Sequence, residues 1–126
     1  MKKILIVDDD NSFRTSLKEG LSIGNFLPVA ASSGKEGLDK VEIEHPDIVI
    51  LDIKMPGMDG IEMLRKLRIH HRKLPVIMLT SYSEMRHDPE VAMGNVSAFL
   101  DKPVDIRQLI SMIEDVLRRN ILRRNN

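Results

Sequence analysis

The sequence contains no cysteine, no tryptophan, one tyrosine and only three phenylalanines. Without cysteine there are no disulfides and no thiolate chemistry, which suits a reducing compartment. So few rings leave no basic patch interleaved with aromatics of the kind that stacks nucleic-acid bases. Long apolar runs are also missing: none approaches the roughly 18 residues of a spanning helix. Lys2 and Lys3 precede too short an apolar run for a secretory signal. A soluble, cytoplasmic protein with no membrane contact is expected. Net charge is absent as well, with 19 Lys plus Arg against 19 Asp plus Glu.

What is present is an ordinary globular composition over 126 residues, enough for one domain with a real core. The charges are unevenly spread. Residues 118–126, RRNILRRNN, hold four Arg and no acid, which leaves 15 basic against 19 acidic residues in 1–117. We read 1–117 as the domain. Residues 118–126 are either a basic helix extension, where Arg complements the macrodipole, or the start of a linker to an output domain. Leu117, Ile121 and Leu122 continue the helical spacing, and nucleic acid would be reached only through such an output domain.

Apolar runs at Ile4–Val7, Ile48–Leu51 and Val76–Leu79 are short, rich in Val, Ile and Leu, and apolar on both faces. These features mark central parallel strands. Leu27–Ala31 and Ala98–Leu100 are weaker, as edge strands are. Helical spacing lies between them: Phe13, Leu17, Leu21; Leu38, Val41; Ile61, Leu64, Leu67, Arg68; and Ile106, Leu109, Ile110, Ile113, Val116, Leu117. Ser33, Asp59 and Asp105 stand where N-caps belong. This alternation predicts an α/β fold, a doubly wound five-stranded parallel sheet of order 2-1-3-4-5 with helices on both faces. In such folds functional groups gather at the carboxyl ends of the strands. That rule brings together Asp8, Asp9 and Asp10, then Asp52, Thr80 and Lys102.

The set is chemically coherent. Clustered aspartate oxygens suit a hard divalent cation, Mg²⁺ or Mn²⁺. A carboxylate beside it can attack phosphorus, while a hydroxyl and an ammonium stabilise the phosphoryl oxygens. ILIVDDD, IVILDIKMPGMDGIEML, PVIMLTS and FLDKP, in this order and spacing, resemble the receiver domain of two-component response regulators, the CheY-like family; the likeness spans about Lys2 to Leu117.

The resemblance implies that Asp52 is the phosphoacceptor, charged by the phosphohistidine of a sensor histidine kinase or phosphotransfer protein. It implies Mg²⁺ held by Asp9, Asp52 and the backbone carbonyl of Lys54, with Asp8 acting through water and Asp10 no ligand. Thr80 and Lys102 assist the transfer, and the Lys102–Pro103 bond is cis. Thr80 and Phe99 form a switch that alters the face made by the fourth helix, fifth strand and fifth helix, where an output domain, a target or a second copy would bind. The small Ser81 leaves a path to Asp52. Lys54 and Tyr82 flank the crevice and obstruct hydrolytic water, so a long-lived acyl phosphate is expected. The protein would catalyse its own phosphorylation and dephosphorylation without being a turnover enzyme.

One stretch departs from the family pattern. Pro89 falls where the fourth helix should be continuous, which predicts a loop over Ser83–His87 and a short helix from Pro89 to Met93 capped by Asp88. Asn95 replaces a usual glycine, in keeping with a left-handed conformation. His70 and His71 read as surface residues near a helix end, and Met55 and Met58 as partly exposed. Two rival readings are a hydrolase of the haloacid dehalogenase type, with Asp8 and Asp10 as its acid pair, and a receiver that only docks.

Overall fold

A computed structural model of the protein describes residues 1–81 and 94–125, the last three as backbone alone. The expected loop and short helix around Pro89, and Tyr82, lie outside the described residues. The apolar runs form β1 (Lys3–Val7), β3 (Ile48–Asp52) and β4 (Val76–Thr80); the two weaker segments form β2 (Leu27–Ala31) and β5 (Ala98–Asp101). All pairs are parallel and the order is β2-β1-β3-β4-β5, as the alternation predicts.

Side chains alternate across the sheet, and both faces are apolar because both are covered. Leu5, Val7, Val49, Leu51, Val76 and Met78 face α2 (Gly34–Glu44) and α3 (Gly60–His70), where Val41, Leu64 and Leu67 meet them. Ile4, Ile6, Ile48, Ile50, Ile77 and Leu79 face α1 (Asn11–Ile23) and the C-terminal helix (Ile106–Asn125), which supply Leu17, Leu21, Leu109 and Ile113. The C-terminal helix runs on without a break past Leu117, and Ile121 and Leu122 remain about half exposed. No described helix is long and apolar enough to cross a membrane.

The expected N-caps are in place. Ser33 and Asp59 accept the backbone N–H groups of Glu36 and Glu62, and Asp105 Oδ1 accepts those of Arg107 and Gln108. Asn95 has φ 54°, the left-handed conformation its amide side chain favours. One expectation is corrected: Met55 is buried against the α2–α3 side of the core, because the chain turns inward after β3, whereas Met58 is partly exposed as expected. His71 is half-buried and not simply a surface residue. Its Nε2 lies 2.6 Å from Glu42 Oε1, joining the ends of α2 and α3, and this hydrogen bond holds the Glu42 carboxyl below its usual range.

Candidate functional site

The three central strands end level with one another, and each delivers a polar group to the same crevice. Asp8 follows β1, Asp52 closes β3 and Thr80 closes β4; all three are buried, in a region otherwise filled by aliphatic side chains. Oxygens of Asp8, Asp9 and Asp52 lie within 4.8 Å of one another. Asp9 is the exposed member and faces solvent at the mouth of the crevice.

Three consecutive carboxylates are tolerated because each has a different task. Asp8 accepts the Asp10 backbone N–H on Oδ1 (2.9 Å) and the Lys102 ammonium on Oδ2 (2.8 Å). Asp10 turns away, and its Oδ1 accepts the Phe13 N–H (3.2 Å) as the N-cap of α1. That engagement weakens the dehalogenase-type reading, which needs Asp10 as an acid beside Asp8. Among the described acids, Asp8, Asp9 and Asp52 share the crevice.

Lys102 leaves β5 across the crevice. Its backbone N–H donates to Thr80 O (2.9 Å), and its Nζ stands 2.8 Å from Asp8 Oδ2 and 3.5 Å from Asp52 Oδ2. The Lys102–Pro103 bond is cis, as expected. Burial opposes the ammonium's charge, but the hydrogen bond it donates to Asp8 and the attraction of Asp52 outweigh it, and Lys102 titrates above its ordinary value. In Asp52 burial prevails, and the uncharged form is favoured. Burial, then the neighbouring charge of Asp8, raise its pKa to about 6 against the pull of Lys102. Thus the crevice holds more negative charge than one lysine satisfies. Hard oxygen donors, mutual repulsion and a carboxyl held above its usual range together fit a divalent cation.

Thr80 and Phe99 lie on the same face of adjacent strands. Thr80 is two residues beyond Met78, the register partner of Phe99, about 7 Å along the strand. Phe99 is half-buried against the α2–α3 side of the core. Lys54 and Ser81 are exposed on the loops following β3 and β4.

Two contributors escaped the sequence reading. The Phe13 ring centroid lies 4.4 Å from Lys102 Nζ, a cation–π contact from a residue assigned only to the core side of α1. Arg14 Nη1 donates to Asp8 O (2.7 Å), and its Nη2 to Asn11 Oδ1 (3.0 Å), so a guanidinium braces the backbone beneath the acid pair. The only sequence signal was their position, one turn beyond the acids.

Comparison with known proteins agrees with this geometry. The family model described as the response regulator receiver domain matches residues 4–114. The chain is 34% identical over 117 residues to the response regulator MprA of Mycolicibacterium vanbaalenii, covering 93% of this chain and 51% of that protein. It is 35% identical over 120 residues to the alkaline phosphatase synthesis transcriptional regulatory protein PhoP of Bacillus subtilis, covering 94% and 50%. The chain therefore spans about half the length of these curated relatives. Among solved structures, a CheY-like receiver domain protein from Methanospirillum hungatei superposes with TM-score 0.91 at 32% identity, covering 98% of each chain. The response regulator TrrA of Thermotoga maritima, solved with Mg²⁺ and BeF, gives 0.85 at 33% identity, covering 92% of this chain and 99% of the other. With the fold, the strand-end acids and the family match in agreement, the chain belongs to the receiver domains of response regulators.

Proposed function

We propose that this receiver takes a phosphoryl group onto Asp52 from the phosphohistidine of a sensor histidine kinase or phosphotransfer protein. The observation that carries the reading is the convergence of Asp8, Asp9 and Asp52 within 4.8 Å, with Lys102 Nζ reaching both buried carboxylates. Asp8, Asp9, Asp52 and the backbone carbonyl of Lys54 would hold Mg²⁺, with Mn²⁺ an alternative. When bound, the cation lowers the repulsion among these acids and screens the incoming phosphoryl charge.

The chain's own groups do the rest. An Asp52 Oδ lone pair forms the new P–O bond as the P–N bond to the donor imidazole breaks, and the imidazole leaves with that electron pair. Lys102, poised between Asp8 and Asp52, pairs with a phosphoryl oxygen as a point charge, and the Thr80 hydroxyl donates to another. Movement of Thr80 frees space for Phe99, which shares its face of the sheet. The face formed by β5 and the C-terminal helix then presents a changed surface to an output domain, a target or a second copy. Lys54 and Tyr82 obstruct hydrolytic water, which makes the acyl phosphate long-lived. A histidine-kinase donor places this exchange in the cytoplasm.

Incubation with acetyl phosphate and Mg²⁺, read by intact mass and peptide mapping, tests the reading. One phosphoryl group on Asp52 is expected in the wild type and none in Asp52→Asn. A wild type that gains no label would leave docking as its role.

A further inference from the structure

Arg68 stands among the apolar positions of α3, half-buried and far along the chain from every site residue. Among the described residues no carboxylate meets its guanidinium. Instead four of the five N–H donors of the fork meet backbone carbonyls. Nη1 donates to His71 O (2.8 Å) and Leu74 O (2.8 Å), in the turn between α3 and β4. On the other side Nε donates to Gly94 O and Nη2 to Asn95 O (3.2 Å), in the turn that enters β5.

The second turn matters because β5 is an edge strand of four residues, paired among the described strands with β4 alone. Its ladder begins where Ser97 N–H meets Val76 O (2.8 Å) and ends where Lys102 N–H meets Thr80 O (2.9 Å). A short edge strand with one neighbour frays readily, so its position depends on what holds its ends. Asn95, in the left-handed conformation, needs its carbonyl direction fixed for the chain to enter β5 in register. Arg68 supplies that fixture, and a lysine could not, since a point charge lacks the fork.

We infer that Arg68 is a positioning residue for Lys102 and Phe99: it clamps the entry of β5 to the α3–β4 turn, and the extended strand carries that placement to the phosphoacceptor. The inference rests on the function proposed above. Lys102 must keep Nζ near two oxygens at once, and misplacement by about 1 Å can slow a reaction by orders of magnitude. Asp8, Asp9 and Asp52 stand on or beside β1 and β3, whereas the carbonyls that Arg68 holds belong to the α3–β4 turn and the entry to β5. Loss of the clamp should therefore spare metal affinity and impair the transfer itself.

The test uses the whole chain with Arg68→Gln and Arg68→Lys. Amide hydrogen exchange at Ser97 and Lys102 is compared with that at Ile6 and Ile50, and Asp52 labelling by acetyl phosphate is followed across a Mg²⁺ titration. In Arg68→Gln, exchange at Ser97 and Lys102 should quicken on the order of tenfold relative to β1 and β3. The maximal labelling rate should fall on the order of tenfold with half-saturating Mg²⁺ unchanged, and Arg68→Lys should fall between. If Arg68→Gln does not fold, Arg68→Lys is expected to show the same selective changes in smaller measure. Uniform acceleration across the sheet, or wild-type labelling rates in a folded variant, would overturn the inference. A wild type that takes no label overturns the function proposed above instead, while β5-selective exchange still decides whether Arg68 is the clamp.

Discussion

Asp52 illustrates the conflict between stability and chemistry at single positions. A buried carboxyl titrating at about 6, against an ordinary value of 3.8, binds its proton more tightly folded than unfolded. Its ionisation therefore opposes folding, and the penalty builds as pH rises from about 4 to about 6. Above that range it amounts to about 3 kcal/mol in metal-free protein. Asp52→Asn should accordingly be more stable than wild type in urea unfolding at neutral pH with chelator present, by about 1–3 kcal/mol, and the advantage should vanish below about pH 4. Asp10 gives the opposite case. Its side chain caps α1, so Asp10→Ala should lose about 1 kcal/mol in the same assay yet label at Asp52 like wild type, unlike Asp9→Asn. The acids and Lys102 were legible in the sequence because strand-end chemistry depends on a short local pattern. Phe13 and Arg68 were not, since each acts on a group from a distant segment, nor was Arg14, because nothing in helical spacing says which carbonyl a guanidinium will meet.

At the scale of elements, the loop from β3 to α3 shows how close packing constrains the chain around Asp52. Gly57, at φ 72°, supplies the left-handed turn, and Gly60 opens α3 with its N–H on Ile53 O (2.8 Å). A Cβ on Gly60 would lie 2.2 Å from the Asp52 carbonyl oxygen, and backbone there cannot yield without moving Asp52. Gly60→Ala should destabilise by about 3 kcal/mol and reduce Asp52 labelling, whereas Gly57→Ala strains only the turn. Thermal unfolding together with the labelling assay separates the two. The sequence announced this turn through MPGMDG, and it announced β1, β3 and β4 because strands buried on both faces are continuously apolar. β2 and β5 were fainter for a physical reason. Each is an edge with partly exposed positions, and Leu27 is 47% exposed, which dilutes the apolar signal. Met55 was misread because an apolar residue next to a turn can point inward or outward, and only the path of the loop decides which.

Across the whole molecule, two groups of titratable residues sit at opposite edges of the sheet. The acids lie at the carboxyl ends of the strands, while α3 runs back to the amino ends and places His71 against Glu42 there. Only the first group should couple stability to a divalent cation. With the proposed ligand set Mg²⁺ needs Asp52 ionised, so below about pH 6 the metal would have to displace a proton and its apparent affinity should fall by about tenfold per pH unit. At neutral pH, Mg²⁺ at a hundred times its Kd should stabilise the fold by about 2.7 kcal/mol, and chelation should remove that gain. At pH 5 the same concentration should give clearly less. The control is His71→Gln: it breaks the α2–α3 bridge but should leave the pH dependence of the Mg²⁺-induced shift in melting temperature unchanged. Asp52→Asn should instead flatten that dependence. A Mg²⁺ effect that follows His71 rather than Asp52 would mean that the cation acts at the wrong end of the sheet for phosphoryl transfer, and would separate the metal from the acceptor.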